Sequence, residues 1–175
     1  MVDFCLVSAE EPDRRRELLR PGHYEPWKNL LATIRRYQAL KENGGVGFRL
    51  LRPWIVLFHR FWSAVCGADI PINAKLGGGL LMPHPNGIVI HPDAEIGPNC
   101  LIFQQVTVGT GSRPGVPRIG GQVDIGAGAK ILGGIHIGDH ARIGANAVVL
   151  QDVPAGCAAV GIPARIVGLR KEGKI

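Results

Sequence analysis

A six-residue repeat of aliphatic side chains dominates the second half of the chain. A period of six fits neither an α-helix, which repeats about every 3.6 residues, nor a simple β-hairpin meander. It predicts a parallel β-helix of hexapeptide repeats, in which each short strand forms one side of a coil and its aliphatic residue points inward. The in-phase positions are Ile90, Ile96, Ile102, Val108, Ile119, Ile125, Ile131, Ile137, Ile143 and Val149.

Small residues follow the aliphatic ones repeatedly, as in Ile96-Gly97 and Ile125-Gly126. A glycine suits the corner of a coil, where a positive φ is often needed and a Cβ would clash. The repeat is broken between Val108 and Ile119, whose spacing matches neither one period nor two. The break predicts a loop that projects between two regular coils. Such a loop is either a tolerated surface insertion or a functional element carried by a rigid scaffold.

Residues 1–68 contain no such repeat and have a different composition, with all three tryptophans and both tyrosines. Helical spacing runs from Pro26 to Leu40, and Asn43-Gly44-Gly45 predicts its end. A second helix is predicted from about Phe48 to Val65. We therefore divide the chain into a helical N-terminal segment (1–68), a β-helix domain (69–168) and a C-terminal tail (169–175).

Charge and cysteine usage narrow the class of protein further. The net charge of +6 is compatible with nucleic acid, an acidic membrane surface or a phosphorylated ligand, but no nucleic-acid motif accompanies it. The four cysteines form no CxxC pair, which predicts a reducing, cytoplasmic compartment. The most apolar stretch, 50–66, contains Arg52, His59 and Arg60, so we expect no transmembrane segment.

Five stretches between residues 68 and 165 form a more specific pattern than the repeat alone. They are Ala68-Asp69-Ile70-Pro71, Pro83-His84-Pro85-Asn86-Gly87-Ile88-Val89-Ile90, Gln105-Val106-Thr107-Val108-Gly109-Thr110-Gly111, Gly126-Ala127-Gly128-Ala129-Lys130-Ile131-Leu132-Gly133 and Gly161-Ile162-Pro163-Ala164-Arg165. With these stretches the chain, over about residues 60 to 170, resembles the serine O-acetyltransferase family of hexapeptide-repeat acyltransferases.

The resemblance implies a mainly β fold, the left-handed parallel β-helix, with acetyl-CoA as co-substrate. It also implies a homotrimer with active sites at the seams between protomers, and grooves between packed elements suit cofactor sites. Family members with a long helical N-terminal domain pair their trimers into hexamers. Because the helical segment here is shortened to 1–68, we expect a plain trimer.

The resemblance assigns catalysis to His84 and its partner carboxylate to Asp69. Acetyl transfer from a thioester to a hydroxyl needs a base for the hydroxyl proton, and histidine suits that role at neutral pH. Asp69 precedes His84 by close to one coil of three sides, so it would hold the imidazole tautomer from an adjacent coil. The alternatives are a turn histidine between Pro83 and Pro85, and an aspartate that caps the preceding helix.

The same resemblance implies a binding site for coenzyme A. The loop residues line the pantetheine groove, the alanines offer small side chains and backbone amides, and the two cations are phosphate partners. The alternative is that the small residues only form corners and the charges are solvated. The assigned residues are Gly109, Thr110, Gly111, Ala127, Lys130, Ala145 and Arg165.

Two departures from the family pattern affect the acceptor. The family's aspartate before the catalytic histidine is replaced by Pro83, which cannot bind a serine ammonium group. The family's Arg-His-Pro in the extended loop aligns with 115–117, which reads Gly-Val-Pro, so a second histidine is missing. Arg113 is the substitute for the loop arginine, as a substrate-binding residue. L-serine and a sugar or polysaccharide-precursor hydroxyl both remain candidate acceptors.

Two alternatives belong to other classes of protein. His84 could join other histidines in a metal site, but His136 and His140 lie four apart around a turn without evident acidic partners, so no metal is predicted. A non-catalytic trimeric scaffold would explain the missing second histidine. The retained His84 and Asp69 favour an enzyme over the scaffold.

Overall fold

The computed structural model describes residues 8–19 and 22–168 of the chain. The predictions for Cys5 and for the tail 169–175 lie outside the described residues. The division of the chain at residue 68 stays a prediction, although the last helix ends at Cys66 and the first β-bridge follows at Asp69.

Residues 69–167 wind into a prism of three sheets. Sheet I contains β2 (Val89–Ile90), β5 (Thr107–Gly109), β8 (Lys130–Leu132) and β11 (Val148–Val149). Sheet II contains β1 (Lys75–Leu76), β3 (Glu95–Ile96), β6 (Arg118–Ile119) and β9 (His136–Ile137). Sheet III contains β4 (Leu101–Ile102), β7 (Asp124–Ile125), β10 (Arg142–Ile143), β12 (Ala158–Val160) and β13 (Arg165–Val167). Pairing is parallel except between β12 and β13. The predicted left-handed β-helix is confirmed.

The repeated aliphatic residues form three internal columns. In sheet I the register aligns Ile90, Val108, Ile131 and Val149, and all four side chains are at most 2% exposed. Each column brings together residues one coil apart, so the inward positions of the repeat bury one another. Apolar burial of this kind supplies most of the stability of a β-helix.

The β-helix has one coil more than the repeat predicts. Ile70, Leu76 and Met82 are buried at a spacing of six and continue the internal columns towards the N-terminus. The next inward residue is Ile90, eight positions after Met82. The turn that contains His84 is therefore wider, by two positions, than a regular corner.

The corner glycines are explained by close packing rather than by a positive φ. A Cβ added at Gly97 would overlap the backbone of Gly120 in the next coil. Positive φ occurs two positions further on, for example at Asn99, where φ is 60°, and at Gln122, where it is 51°. The expectation of a positive φ directly after the aliphatic residue is therefore wrong, whereas the expected Cβ clash is confirmed.

Two helices precede the β-helix and pack against each other. Helix α1 spans Pro26–Asn43 and α2 spans Gly45–Cys66, so α2 begins before the predicted Phe48. Gly44 joins them with a φ of 59°, which agrees with the predicted stop signal. No helix in the described part of the chain is long and apolar enough to cross a membrane.

The described N-terminal residues 8–19 are attached to the β-helix by hydrogen bonds, several of them to the buried side chain of Asn99. Asn99 donates from Nδ2 to the carbonyl oxygens of Ser8 and Glu11, both at 2.7 Å. Its Oδ1 accepts from the backbone N–H of Asp13 at 2.9 Å. These hydrogen bonds hold the start of the described chain on the second coil of the β-helix.

Candidate functional site

His84 lies in the widened turn between sheet III and sheet I. The prolines on both sides restrict the backbone of this turn. The amide of Gly87 donates to the carbonyl oxygen of Gly67 at 2.7 Å and fixes the end of the turn. The imidazole is exposed, and none of the described residues forms a hydrogen bond or an ion pair with it.

Asp69 lies beside the strand that follows the His84 turn. Its backbone N–H donates to the carbonyl oxygen of Ile88 at 2.8 Å, and its own carbonyl oxygen accepts from Ile90 at 3.0 Å. These bonds hold the Asp69 and His84 segments on adjacent coils, as the sequence predicts. Within the described single chain, no hydrogen bond or ion pair joins the Asp69 carboxylate to the His84 imidazole. The orienting role of Asp69 stays a prediction.

The turns between sheets III and I stack into a column that we call edge III–I. The carbonyl oxygens of Asn86, Gln104 and Ala127 each accept from an amide one coil further on, at 2.7 to 2.8 Å. His84 lies two positions before the first of these residues. Three of the predicted site residues, His84, Ala127 and Ala145, therefore lie along this edge. The equivalent positions of edge III–I are Asn86, Gln104, Ala127 and Ala145.

Gln104 is a residue of this edge that sequence reasoning missed. Its Oε1 is buried and has no hydrogen-bond partner among the described residues. A buried acceptor without a hydrogen-bond partner destabilises the folded protein, and a hydroxyl or N–H group of a ligand can supply the missing hydrogen bond. The available signal was its place in the repeat, because Gln104 occupies the same corner position as Ala127.

The outer surface of sheet I carries Lys130. Its ammonium group donates to the carbonyl oxygen of Gln105 at 2.6 Å and to Oγ1 of Thr107 at 3.1 Å. A lysine has three donors, so one N–H is left for another acceptor. Asp69 stands in the same outward column. The full column in register is Asp69, Val89, Thr107, Lys130 and Val148.

The loop after β5 packs flat onto the next coil instead of standing free. Gly111 rests on Leu132 and Gly133, where an added Cβ would come within 3.0 Å of the backbone. Gly134 donates its N–H to the carbonyl oxygen of Arg113 at 3.2 Å. Gly109, by contrast, faces open space, since no atom lies within 4 Å of a Cβ added there. Of the predicted groove residues, Gly109 therefore borders an open surface, whereas Gly111 packs against the next coil.

Arg113 forms an ion pair in the described chain. Its Nη1 donates to Oδ1 of Asp152 at 3.0 Å, and the same oxygen accepts from the backbone N–H of His136 at 2.9 Å. The hydrogen bond from His136 and the charge of Arg113 hold the pKa of Asp152 below its usual range. Arg113 is thus committed to anchoring the loop, and its role in substrate binding stays a prediction.

Removing the Asp152 carboxylate should loosen the loop. In Asp152→Ala we expect hydrogen exchange at the Gly134 amide to speed up about two- to fivefold, because Arg113 loses its anchor. Since the pKa of Asp152 is lowered, the anchor is fully present above the unfolded pKa of a carboxyl, about 4, and is lost as the pH falls through the folded one.

Mass-spectrometric or NMR hydrogen exchange measures this effect. Asp93→Ala removes an exposed carboxylate at another corner and serves as the matched control. Equal exchange at Gly134 in the wild type and in Asp152→Ala would contradict the anchoring role.

Arg165 lies at the C-terminal end of edge III–I. The amide of Val148 donates to the carbonyl oxygen of Gly161 at 3.0 Å, which places the turn 161–164 beside β11. Arg165 follows this turn with an exposed side chain. No group of three His, Cys, Asp or Glu side chains suited to a metal ion occurs within residues 8–19 and 22–168.

Comparison with known proteins places the chain in a class and then in a family. The family model for "Bacterial transferase hexapeptide (six repeats)" matches residues 117–151, so the repeat of this β-helix is of the hexapeptide class. The serine acetyltransferase of Staphylococcus epidermidis is 37% identical over 179 aligned positions, which cover 98% of this chain and 78% of that protein. The chain belongs to the serine acetyltransferase family, as its motifs indicate.

Other relatives match over shorter regions. The serine acetyltransferase of Synechococcus elongatus is 48% identical over 104 residues, covering 58% of this chain and 43% of that protein. Two relatives from Helicobacter pylori and one from Mycobacterium tuberculosis are covered to 62%, 62% and 53%. The chain thus spans about half of the length of these curated relatives.

Solved structures of serine acetyltransferases share the fold. The Brucella abortus enzyme in complex with coenzyme A has a TM-score of 0.71 and 34% identity, with 83% of this chain and 57% of that chain covered. The soybean enzyme complexed with serine has a TM-score of 0.71 and 35% identity, with 89% and 66% covered. These ligands were observed in the relatives and guide the proposal below.

Proposed function

We propose that this chain is an acetyl-CoA-dependent O-acetyltransferase that acts on the hydroxyl group of a small molecule. The observation that carries the proposal is the placement of His84, Asp69 and the small residues of edge III–I around sheet I. Relatives with the same fold bind coenzyme A and serine, which supports this assignment. His84 acts as general base, and Asp69 orients it.

The reaction needs no covalent enzyme intermediate. His84 takes the proton of the acceptor hydroxyl while its oxygen attacks the thioester carbonyl, and Asp69 stabilises the imidazolium. The tetrahedral intermediate then expels the coenzyme A thiolate, which recovers the proton from His84. Acetyl ester and free thiol are the products. Burial raises the pKa of the Cys66 thiol to about 11 and that of Cys100 to about 12, so neither is a thiolate nucleophile at neutral pH.

The predicted coenzyme A residues border sheet I on both sides. Gly109 leaves open space for the pantetheine arm. At the opposite edge, the small side chains of Ala127 and Ala145 leave room for the same arm. Lys130 offers its remaining N–H to a phosphate, as does the exposed guanidinium of Arg165. Thr110 and Gly111 continue the groove into the loop.

We further propose a homotrimer whose protomers meet along these edges. Among the described residues of a single chain the site is open at Gly109, and a neighbouring protomer would supply the facing wall. A cytoplasmic location and the absence of a nucleic-acid partner stay predictions from the sequence.

L-serine is the simplest acceptor, given the family. A specific observation favours a second candidate, a sugar hydroxyl: Pro83 offers no carboxylate to an ammonium group, and Arg113 is occupied by Asp152. A sugar needs neither charge. The unpartnered Gln104 Oε1 accepts a hydrogen bond from either acceptor.

An acceptor panel with a Pro83 variant distinguishes the candidates. We expect Pro83→Asp to raise kcat/KM for L-serine about 10- to 100-fold, because a carboxylate–ammonium hydrogen bond contributes about 1.5–3 kcal/mol. The measurement is thiol release from acetyl-CoA with L-serine, homoserine and a series of sugars.

Pro83→Asn is the matched control, since it has the same shape as the aspartate without the charge. No gain for L-serine in Pro83→Asp would contradict the ammonium argument. Silence of the wild type with every acceptor, together with no binding of coenzyme A, would overturn the proposed function.

A further inference from the structure

Helix α2 exposes a broad apolar stripe to solvent. Seven of its large apolar residues are between 41% and 67% exposed, and so many exposed apolar side chains are unusual on one helix of a globular protein. At about 100° per residue they fall within one arc of about 120°. Ile55 and His59 lie outside this arc, on the buried side of the helix. The stripe consists of Leu50, Leu51, Trp54, Leu57, Phe58, Phe61 and Val65.

Two arginines, Arg49 and Arg60, occupy the flank of α2 next to this stripe, and Arg52 lies further round the helix. Arg49, Arg52 and Arg60 line a shallow groove together with Pro53 and Leu57. None of the three forms an ion pair with a residue of the described chain. The helix contains no aspartate or glutamate. An apolar face and an uncompensated positive flank therefore lie side by side.

Helix α1 does not cover this surface. It packs against the opposite side of α2, where Tyr37 meets Phe48 edge to face at a centroid distance of 5.5 Å. Thr33 Oγ1 lies 3.3 Å from Nδ1 of His59 on the same side. The buried and exposed sides of α2 are both apolar, and only the buried side has a partner within the described residues.

We propose that α2 binds parallel to the surface of an anionic phospholipid membrane through this stripe and its arginines. Aromatic and leucine side chains enter the boundary of headgroups and acyl chains, while arginines pair with lipid phosphates. The helix binds the surface and does not span the bilayer. A second copy of the same face fits less well, because its arginines would repel those of the first.

Vesicle flotation tests the proposal directly. The full-length protein should float with phosphatidylcholine vesicles that contain about 30% phosphatidylglycerol, and binding should fall steeply at about 0.5 M salt. Pure phosphatidylcholine should bind it much more weakly. Each of Arg49→Gln and Arg60→Gln should weaken binding to the anionic vesicles about fivefold, since one arginine near the surface contributes about 1 kcal/mol.

Matched controls come from the β-helix. Arg118→Gln and Arg142→Gln remove exposed positive charges elsewhere in the chain and should leave vesicle binding unchanged. Leu57→Glu and Phe61→Glu place charge in the stripe and should abolish binding. Both positions are exposed, so the thermal unfolding of these variants should match that of the wild type.

Tryptophan fluorescence gives an independent readout of the bound helix. Trp54 is 62% exposed, whereas Trp27 is 4% exposed and Trp62 is partly buried against the core. Anionic vesicles with brominated acyl chains should quench the fluorescence of the wild type. The quenching should be small in Trp54→Phe, which still floats.

Three results would overturn the proposal. The first is the absence of flotation with anionic vesicles. The second is flotation that the α2 variants leave unchanged. The third is a change of oligomer size by Leu57→Glu in light scattering without any vesicle binding, because the stripe would then be an interface between copies of this chain. None of these results depends on acetyl transfer.

Discussion

His84→Ala lowers the rate of acetyl transfer about 10²- to 10⁴-fold, the range expected when a general base is removed. The hydroxyl acceptor then loses the group that takes its proton as it attacks the thioester. Because the imidazole is exposed and forms no hydrogen bond with the described residues, its removal should leave the fold unchanged. Steady-state thiol release from acetyl-CoA, with the best acceptor of the panel, measures the effect.

His136→Ala is the matched control for His84→Ala. Its side chain is exposed on sheet II, and only its backbone N–H contacts Asp152. We expect this variant to retain full activity, and both variants to unfold at the wild-type temperature. A His84→Ala enzyme within about threefold of the wild type would contradict the role of His84 as general base.

The six-residue period predicts the fold because each inward side chain stacks on one from the next coil. Ile102, Ile125 and Ile143 illustrate this in sheet III, where they lie directly in register. The same stacking applies to Ile70, Leu76 and Met82, but the two extra positions before Ile90 shift the phase and conceal that coil in the sequence. The turn that widens the corner for His84 is also the turn that hides the repeat.

The sequence motifs predicted which residues belong to the candidate site, but they did not predict which residues those side chains contact. The partner of Arg113 is Asp152, 39 positions later, and no pattern in the sequence indicates this pair. Asn99 likewise binds Ser8, which lies 91 positions earlier in the chain. Such contacts depend on which corners stack and on where the loop folds back, and both follow from the assembled coils rather than from local spacing.

Ile125→Ala should lower the free energy of unfolding by about 2–5 kcal/mol, the usual cost of truncating a fully buried isoleucine. Its side chain is 0% exposed and lies between two other isoleucines of sheet III. The cavity left by the truncation removes packing contacts with the coils on both sides, and each coil of a repeat fold is stabilised by its neighbours. Urea unfolding followed by circular dichroism, at one protein concentration, measures the change.

Ile166→Ala is the matched control for Ile125→Ala, because the same atoms are removed from a position that is 39% exposed. We expect it to cost less than about 1 kcal/mol, since solvent already reaches this side chain. Ile125→Val should fall in between, at about 0.5–1.5 kcal/mol, because it removes only one methylene. If both alanine variants lost the same stability, the internal column would not be the main source of cohesion between coils, and the stabilising contacts would have to lie at the corners.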